Sequence, residues 1–425
     1  MRPNRLVPVV LAAAVVLAAC TNAPPAPSAT SKGSAPSASS ATSAGTPSAT
    51  SAATPSSHSS TSTAATSRPL HSTSSDERAA AALRRLTLAQ RVGQLFMVGG
   101  VATGVGASTL SAVSRRHVGN VMLTGRSTAG VTRTRQVVDR VRRQVSSAAT
   151  GGVPLFVATD QEGGAVQVLR GSGFSAIPTA LEQGTWSADT LRSRASSWGG
   201  ELKRAGVNLN LAPVADTVPS AAAASSNPPI GRFRREFGYA TSRVGDHAAA
   251  FARGMASAGV GTAVKHFPGL GRVTGNTDTT SGVTDTTTTS RDPYLEPFRQ
   301  TVGGGAAFVM MSTALYSRID AGTPAAFSAT VVGGVLRGRL GFTGVVISDD
   351  LGQSRQVARW SPGQRAVLFV RAGGDMVLTV DPSVLPSMYD AVLARAERDG
   401  AFHRQVDAAA LRVLRAKASQ GILPK

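Results

Sequence analysis

Lys265 and His266 end an apolar run and lead directly into a loop of Gly, Thr and Asp residues. That loop carries Asp278 and Asp285, and no histidine occurs between His266 and His403. A cation and an imidazole at the end of a buried strand, followed by carboxylates, indicate a polar site at the rim of a core. Imidazole and carboxyl groups are the common proton donors and acceptors of enzymes. Because the loop lacks a histidine, its carboxylates are the candidates for proton transfer.

Eight short apolar runs, separated by longer stretches with helical spacing, must position these residues. The runs are 95–99, 120–124, 154–160, 207–216, 262–267, 307–312, 344–350 and 376–381. Strands that alternate with helices in this number predict an α/β fold, a (β/α)8 TIM-type barrel. Continuous apolar runs suit parallel strands that are buried on both faces. Residues 78–425 are long enough to form one such catalytic domain.

Polar side chains stand at the carboxyl ends of most of these runs. They are Asp160 to Gly164, Asp216, Lys265 with His266, Ser312 with Thr313, Ser348 to Asp350, and Asp381. In a barrel of this kind the active site lies at the carboxyl ends, so we expect these groups to share one pocket. An Asp after a strand can instead cap the next helix. We favour that role for Asp381 but not for Asp349.

The beginning of the chain has the pattern of a bacterial lipoprotein signal. Two arginines precede an apolar run at 6–19, and small residues lead to Cys20, the only cysteine of the chain. We therefore expect a signal peptide at 1–19, lipidation of Cys20 and attachment to the cell membrane on its outer side. Residues 20–77 are mostly Ser, Thr, Ala and Pro, which predicts a disordered tether. An ordinary secretory signal is the alternative.

The formal net charge of the chain is +20, carried mostly by arginine. Such an excess of positive charge is typical of proteins that bind nucleic acids. The sequence has no zinc-finger or helix-turn-helix pattern and no interleaving of aromatic and basic residues, so we expect no nucleic-acid partner. Anionic envelope polymers or lipid head groups suit the predicted location better. A compositional preference for arginine, without any partner, is equally compatible with the charge.

Three motifs together resemble the N-terminal barrel of glycoside hydrolase family 3. They are Asp160-Gln161-Glu162-Gly163-Gly164, Lys265-His266-Phe267-Pro268-Gly269, and Gly344-Val345-Val346-Ile347-Ser348-Asp349-Asp350-Leu351. The likeness extends from Leu86 to the last helix. Its order and spacing are similar to those of the single-domain β-N-acetylglucosaminidases of bacterial cell-wall turnover. The signal and tether resemble those of actinobacterial surface lipoproteins.

This resemblance implies a retaining hydrolase that removes terminal β-linked N-acetylglucosamine from peptidoglycan fragments. Asp349 matches the family nucleophile, and Asp350 is then expected to hold its loop. The residues matching sugar ligands are Asp160, Arg235, Lys265 and His266. Arg232 and Arg234 lie close to Arg235 in sequence, so which of these arginines matches the sugar-binding arginine of the relatives stays open. The resemblance implies no metal and no organic cofactor, and we expect a monomer whose partners are its sugar substrate and, through the lipid, the membrane.

The sequence departs from the family pattern at three places. Val168 stands where relatives have an arginine, which Arg170 could replace, and Leu270 stands where they have a histidine. More importantly, the Asp-x-His pair that supplies their acid/base is missing. Asp278 is then the candidate acid/base, with Asp285 as second choice. A carboxylic acid can serve as general acid if burial or a nearby Asp raises its pKa.

Two classes of function remain open at this point. The first is the active glycosidase, and the second is a catalytically impaired lipoprotein that binds sugar or cell wall on the same barrel. The nucleophile strand favours the enzyme, whereas the missing histidine favours the binder. Some relatives with a histidine acid/base use phosphate as acceptor, and a carboxylate at that position would favour water.

Overall fold

A computed structural model describes residues 74–423 of the chain. Eight parallel strands close into a barrel in which neighbours in sequence pair side by side. The strands are β1 (Phe96–Val101), β2 (Asn120–Thr124), β3 (Phe156–Thr159), β4 (Leu209–Asn210), β5 (Gly261–Phe267), β6 (Phe308–Met311), β7 (Val345–Asp350) and β8 (Met376–Thr379). Each coincides with one of the eight apolar runs. The predicted TIM-type barrel is therefore confirmed.

The fourth strand differs from its prediction in length. The run at 207–216 predicts a long strand, but only Leu209–Asn210 is paired as one. Pro213 has no N–H to donate to a ladder. Beyond it, Val214 forms an isolated bridge with Lys265. The chain therefore leaves the regular ladder early.

Helices cover the outside of the barrel. Those that follow β1 to β8 are Ala107–Arg116, Gly130–Arg142, Ala188–Arg204, Thr241–Ser257, Glu296–Gly303, the π-helical Thr330–Arg339, Pro362–Arg371 and Leu385–Arg398. The helical spacing of Val244, His247, Phe251 and Met255 is confirmed, since all four are buried in one helix. Apolar faces of these helices pack against the outward-facing residues of the strands.

Apolar side chains fill the inside of the barrel. Met97, Phe156, Leu209, Phe308, Ile347 and Met376 belong to this inner cluster. The rings of Phe156 and Phe308 meet edge to face, with their centroids 5.2 Å apart. The interior is a packed core, so a ligand can enter only from the ends of the strands.

Three more helices close the amino end of the barrel: Ser75–Arg85, Leu88–Gln94 and Gly400–Ser419. The first two begin with capping boxes, Ser74 with Glu77 and Thr87 with Gln90. From the last helix, the fully buried Lys417 Nζ donates to Gln94 Oε1 at 2.7 Å and to Gly119 O at 3.0 Å. These contacts join the chain ends to the start of the barrel.

Short strands continue the structure beyond the carboxyl ends of the barrel. Thr284–Asp285, Leu315–Tyr316 and Asp320–Pro324 form a small sheet that connects the loops after β5 and β6. Gln161–Gly163 and Val166–Gln167 form a two-stranded sheet after β3. The loops that carry the candidate residues are thus tied to regular structure.

None of the helices in residues 74–423 combines the length and the apolar character needed to cross a bilayer. The signal predicted at 1–19, the predicted lipidation site Cys20 and nearly all of the tether predicted at 20–77 lie outside the described residues.

Candidate active site

A cavity of about 650 Å³ opens at the carboxyl ends of the strands. Its floor is apolar and includes Met122, Leu211, Met310 and Leu378. The six residues predicted from the sequence all line it: Asp160, Arg235, Lys265, His266, Asp278 and Asp349. These residues come from β3, β5, β7 and the loops after β4 and β5. The fold therefore gathers distant parts of the sequence into one pocket.

Irregular strand pairing aims neighbouring residues at this cavity. The pairing of β5 with β6 shifts register between Val264 and Phe267. The pairing of β7 with β8 shifts between Ile347 and Asp350. A bulge breaks the alternation of side chains along a strand. Consecutive residues, Lys265 with His266 and Asp349 with Asp350, consequently all line the pocket.

A buried carboxylate that the sequence analysis did not select, Glu162, organises the cationic side of the cavity. Its Oε1 lies 2.6 Å from Lys265 Nζ and accepts from Arg235 Nη2 at 2.8 Å. Its Oε2 accepts from Arg235 Nε at 2.9 Å. Lys265 Nζ also donates to Asp160 Oδ1 at 2.7 Å. Two cations and two carboxylates are thereby held in one network.

The charges in this network are fixed by one another. Burial alone would raise the pKa of Glu162, but the adjacent Arg235 and Lys265 outweigh it and lower the pKa to about 2. Burial likewise opposes the charge of Lys265, but Asp160 and Glu162 raise its pKa above the ordinary value. Glu162 and Lys265 therefore stay ionised near neutral pH, and both cations are held at the pocket wall.

Asp216, at the end of the predicted fourth run, orients His266. His266 Nδ1 lies 2.7 Å from Asp216 Oδ2, and Asp216 Oδ1 accepts the backbone N–H groups of His266 and Leu270. Asp216 is fully buried. Because a carboxylate only accepts, we assign a proton to Nδ1. His266 Nε2, 3.4 Å from Arg235 Nη2, then presents a lone pair.

Asp278 and Asp349 form the acidic side of the same cavity. The Asp278 surface is open to the pocket, but protein atoms crowd around its carboxyl group. This desolvation, together with the charges of Asp349 and Asp350, raises the pKa of Asp278 to about 6. A carboxyl group whose pKa is raised in this way, beside a second carboxyl group, can supply a proton donor to a reaction at the neighbouring group.

Asp350 has the loop-holding role that was expected of it. Its Oδ1 accepts from Gly352 N and Val380 N, and its Oδ2 accepts from Gln353 N. These bonds fix the turn after β7 and connect it to the end of β8. Asp349 Oδ1, by comparison, accepts the N–H of Asp350 at 2.9 Å.

The structure separates the alternatives that the sequence left open. Asp285 is buried, and its carboxylate accepts from Thr287 and Thr288 of its own loop. Asp285 does not line this cavity, nor a smaller cavity beside it that contains Val168. Asp278 is therefore better placed than Asp285 to reach a ligand. The expected capping role of Asp381 is wrong, because a turn at 382–384 separates it from the helix Leu385–Arg398, whose N-cap is Val384 without a side-chain cap. Asp381 Oδ1 instead accepts from Ser383 N within that turn.

The arginine alternatives are also separated. Arg232 and Arg234 are exposed and do not line the cavity, whereas Arg235 does. Arg170 donates to Gly164 O and Gln167 O within its own loop, so it does not take a place in the pocket. Val168 lines an adjoining cavity of about 500 Å³ that also contains the exposed Arg126.

Sequence reasoning missed three acidic residues around the site. Glu162 lies inside a recognised motif and Asp216 at a predicted strand end, so the sequence analysis included their positions among the polar strand ends. It did not predict the residues with which they pair. Glu236 follows Arg235 and is fully buried, and neither of its carboxyl oxygens has a hydrogen-bond partner among the described residues. Burial raises the pKa of Glu236 to about 7. No pattern in the sequence distinguishes it from a surface acid.

A larger groove, of about 1040 Å³, lies between the helices Pro362–Arg371 and Leu385–Arg398. None of the six predicted residues lines it. Within residues 74–423 there is no cluster of three or more His, Cys, Asp or Glu residues that could hold a metal ion. The chemistry of the described part is therefore concentrated at the carboxyl ends of the barrel.

Comparison with known proteins relates this chain to glycoside hydrolases. The profile of the Glycosyl hydrolase family 3 N terminal domain matches residues 87–416. A protein of Stenotrophomonas maltophilia strain K279a named beta-hexosaminidase is 31% identical over 309 residues. That match covers 71% of this chain and 88% of the relative.

Solved structures show the same relationship. A β-N-acetylhexosaminidase from Beutenbergia cavernae DSM 12333 is 56% identical and has a TM-score of 0.78, covering 79% of this chain and 99% of the other. A family 3 β-N-acetylglucosaminidase from a Paenibacillus species is 29% identical with a TM-score of 0.72, covering 80% of this chain and 64% of the other.

Proposed function

The chain belongs to glycoside hydrolase family 3, and we propose that it is a retaining exo-β-N-acetylglucosaminidase that hydrolyses terminal β-linked N-acetylglucosamine. The observation that carries this proposal is the shared cavity of Asp278 and Asp349, in which the pKa of Asp278 is raised to about 6. Relatives named β-N-acetylhexosaminidase and β-N-acetylglucosaminidase support the choice of sugar.

In the first step, the carboxylate of Asp349 attacks the anomeric carbon and the glycosidic C–O bond breaks. Asp278 donates its proton to the departing oxygen, which leaves as an alcohol. In the second step, the ionised Asp278 takes a proton from water, whose oxygen attacks the anomeric carbon and displaces Asp349. Two inversions give net retention. Asp278 ends protonated, and both carboxyl groups are restored.

We assign sugar binding to Asp160, Arg235, Lys265 and His266. The network around Glu162 supports this, because it holds two cations and a carboxylate at one wall of the cavity. Charged groups that are already paired and ordered lose little entropy when they bind hydroxyl groups. The apolar floor of Met122, Leu211, Met310 and Leu378 offers a surface for the ring and its acetamido methyl group.

The binding-only alternative predicts a different environment for Asp278. A sugar-binding pocket does not need a carboxyl group whose pKa lies near 6 beside a second carboxylate. In this cavity the pKa of Asp278 is raised toward the working range of a general acid. That feature favours turnover over binding alone.

Replacing the nucleophile gives the most direct test. We expect Asp349→Ala to reduce p-nitrophenol release from p-nitrophenyl N-acetyl-β-D-glucosaminide by about 10³-fold or more, since no covalent intermediate can form. Asp381→Ala, which alters an aspartate of the turn after β8 that does not line the cavity, is the matched control and should stay active. Mass spectrometry of wild type treated with a 5-fluoro sugar should find the label on Asp349. A wild type without turnover that binds the sugar would support the binder instead.

Replacing the acid should give an effect that depends on the leaving group. We expect Asp278→Asn to lower kcat/KM by about 10²- to 10⁴-fold for a disaccharide, whose leaving oxygen needs a proton. For the 2,4-dinitrophenyl glycoside, which needs none, kcat/KM should change little. Equal losses for both substrates would argue against this role.

The pH profile offers an independent check on Asp278. Because its pKa is raised to about 6, the protonated fraction that can donate falls as pH rises through 6. Wild-type kcat/KM for a disaccharide should therefore decline on the basic side of pH 6, and this decline should be absent for the 2,4-dinitrophenyl substrate.

We further propose that the natural substrates are peptidoglycan fragments, whose aglycone carries carboxylates. Arg355 supports this, because its exposed side chain lines the cavity and its backbone N–H donates to Asp278 O at 3.2 Å. The leaving oxygen must lie beside Asp278, so the aglycone passes near Arg355. Arg126, exposed in the adjoining cavity, adds a second cation near the mouth.

The aglycone proposal can be tested with matched arginine variants. We expect Arg355→Gln to lower kcat/KM for N-acetylglucosaminyl-N-acetylmuramic acid about 2- to 5-fold, the size of one exposed ion pair, and to leave chitobiose unaffected. Arg359→Gln is the control, since Arg359 stacks on Trp360 at 3.9 Å and does not line the cavity. Similar effects of Arg355→Gln on both disaccharides would contradict an anionic aglycone at this position.

We also propose that the enzyme acts outside the cytoplasm, anchored by a lipid on Cys20 through the 20–77 tether. The arginines, the apolar run at 6–19 and the single cysteine support this placement. The mature protein is then expected to begin with a diacylated Cys20, which mass spectrometry of its N-terminal peptide would detect. An unmodified N-terminus elsewhere would contradict it.

A further inference from the structure

The loop after β5 that carries Asp278 is bound to the loop after β7 by hydrogen bonds at two places. At the first place, Ser354 Oγ donates to Thr277 O at 2.9 Å and Arg355 N donates to Asp278 O at 3.2 Å. Gln356 N adds a bond to Thr277 O at 3.1 Å. The carbonyl groups of Thr277 and of Asp278 are therefore both tied to one neighbouring segment.

At the second place, the Gln356 side chain bonds both backbone groups of Val283. Its Oε1 accepts from Val283 N at 2.9 Å, and its Nε2 donates to Val283 O at 3.0 Å. The side-chain amide thus bonds the N–H and the C=O of one residue, as the backbone of a neighbouring antiparallel strand would. Gln356 and Val283 are both buried, so water does not compete freely for these groups.

The opposite edge of the same loop is held by regular pairing. Thr284–Asp285 runs parallel to Leu315–Tyr316, and Leu315 N donates to Val283 O at 3.0 Å. This pairing follows Val283 along the chain. The segment from Thr277 to Val283, which contains Asp278, is thus bounded at both ends by bonds to the loop after β7.

The loop after β7 follows directly on the strand that carries Asp349. Between Asp349 and Ser354, the carboxylate of Asp350 fixes the turn through Gly352 N and Gln353 N. A short, hydrogen-bonded turn therefore connects Asp349 to the residues that bind the Asp278 loop, and it fixes the distance between them.

We propose that Gln356 is a positioning residue that fixes the Asp278 carboxyl relative to Asp349. The inference rests on the proposed glycosidase function. Gln356 does not line the cavity and so acts through the loop it binds. Without its two bonds the Thr277 to Val283 segment gains other conformations, and the acid is correctly placed in a smaller fraction of molecules. Catalysis that depends on Asp278 then falls, because small misplacements of a catalytic group are costly.

The test uses Gln356→Leu, which keeps the approximate size and removes both side-chain bonds. We expect kcat/KM for chitobiose to fall about 10-fold or more, since its leaving oxygen requires the proton of Asp278. For the 2,4-dinitrophenyl glycoside of N-acetylglucosamine, kcat/KM should stay within about 2-fold of wild type. Its kcat should still drop, because attack by water on the glycosyl-enzyme requires Asp278 as base.

Gln364→Leu is the matched control. Gln364 also accepts a backbone N–H, that of Ser361, but it caps the helix Pro362–Arg371 and does not line the cavity. It should leave the ratio of the two kcat/KM values unchanged. Ser354→Ala serves as the milder variant if Gln356→Leu fails to fold. It removes the bond to Thr277 O and the 3.4 Å contact with Thr313 Oγ1, and it leaves the backbone bonds to Thr277 O and Asp278 O in place. It should shift the ratio in the same direction.

A positioning role would be overturned if Gln356→Leu or Ser354→Ala lowered kcat/KM equally for both substrates, or for neither. A wild type that cleaves neither substrate would instead overturn the proposed function, and this inference with it. The ratio of the two substrates thus separates a misplaced acid from a damaged pocket.

Discussion

The pairing of Glu162 with Lys265 and Arg235 is the interaction on which the cationic side of the pocket depends. It joins the end of β3, the end of β5 and the loop after β4 through contacts of 2.6 to 2.9 Å. Each of the two cations alone would be costly to bury, and so would the carboxylate. Together they remain charged and ordered beside the cavity. His266, held by Asp216, completes this wall.

On the opposite side of the pocket, carboxyl groups lie close together without bonded cations among the described residues. Asp278, Asp349 and Asp350 lie near one another, and no cation is bonded to the carboxylates of Asp278 or Asp349 in the described contacts. Desolvation and like charges then raise the pKa of Asp278. One cavity therefore combines paired, buried charges on one wall with a carboxyl group whose pKa is raised to about 6 on the other. In the proposed mechanism, this environment lets Asp278 take the part that a histidine has in the family.

The arrangement of a cationic and an acidic wall requires that the loops after β5 and β7 keep fixed positions. The loop after β5 is bound on one edge by the small sheet with Leu315–Tyr316 and on the other by Ser354 and Gln356. Asp350 fixes the turn between the nucleophile and those two residues. A lone carboxylic acid has no partner histidine to correct its orientation, so the surrounding backbone must supply that constraint.

The pattern of residues is enough to predict the eight strands, because continuous apolar runs that alternate with helical spacing have few other solutions. Since strand ends in such a barrel meet at one face, it also predicts that Asp160, Lys265, His266 and Asp349 share a pocket. Arg235 and Asp278, which lie in loops, were selected by the resemblance to a family and were chosen over their neighbours only by the structure. Only the tertiary structure decided the partners: Glu162 with Lys265 and Arg235, Asp216 with His266, and Gln356 with Val283. The early end of β4 at Asn210 likewise came from the structure. Local patterns predict where a chain is buried and where it turns. Hydrogen-bond partners and pKa values depend on distances between segments far apart in sequence, and these are set only when the barrel closes.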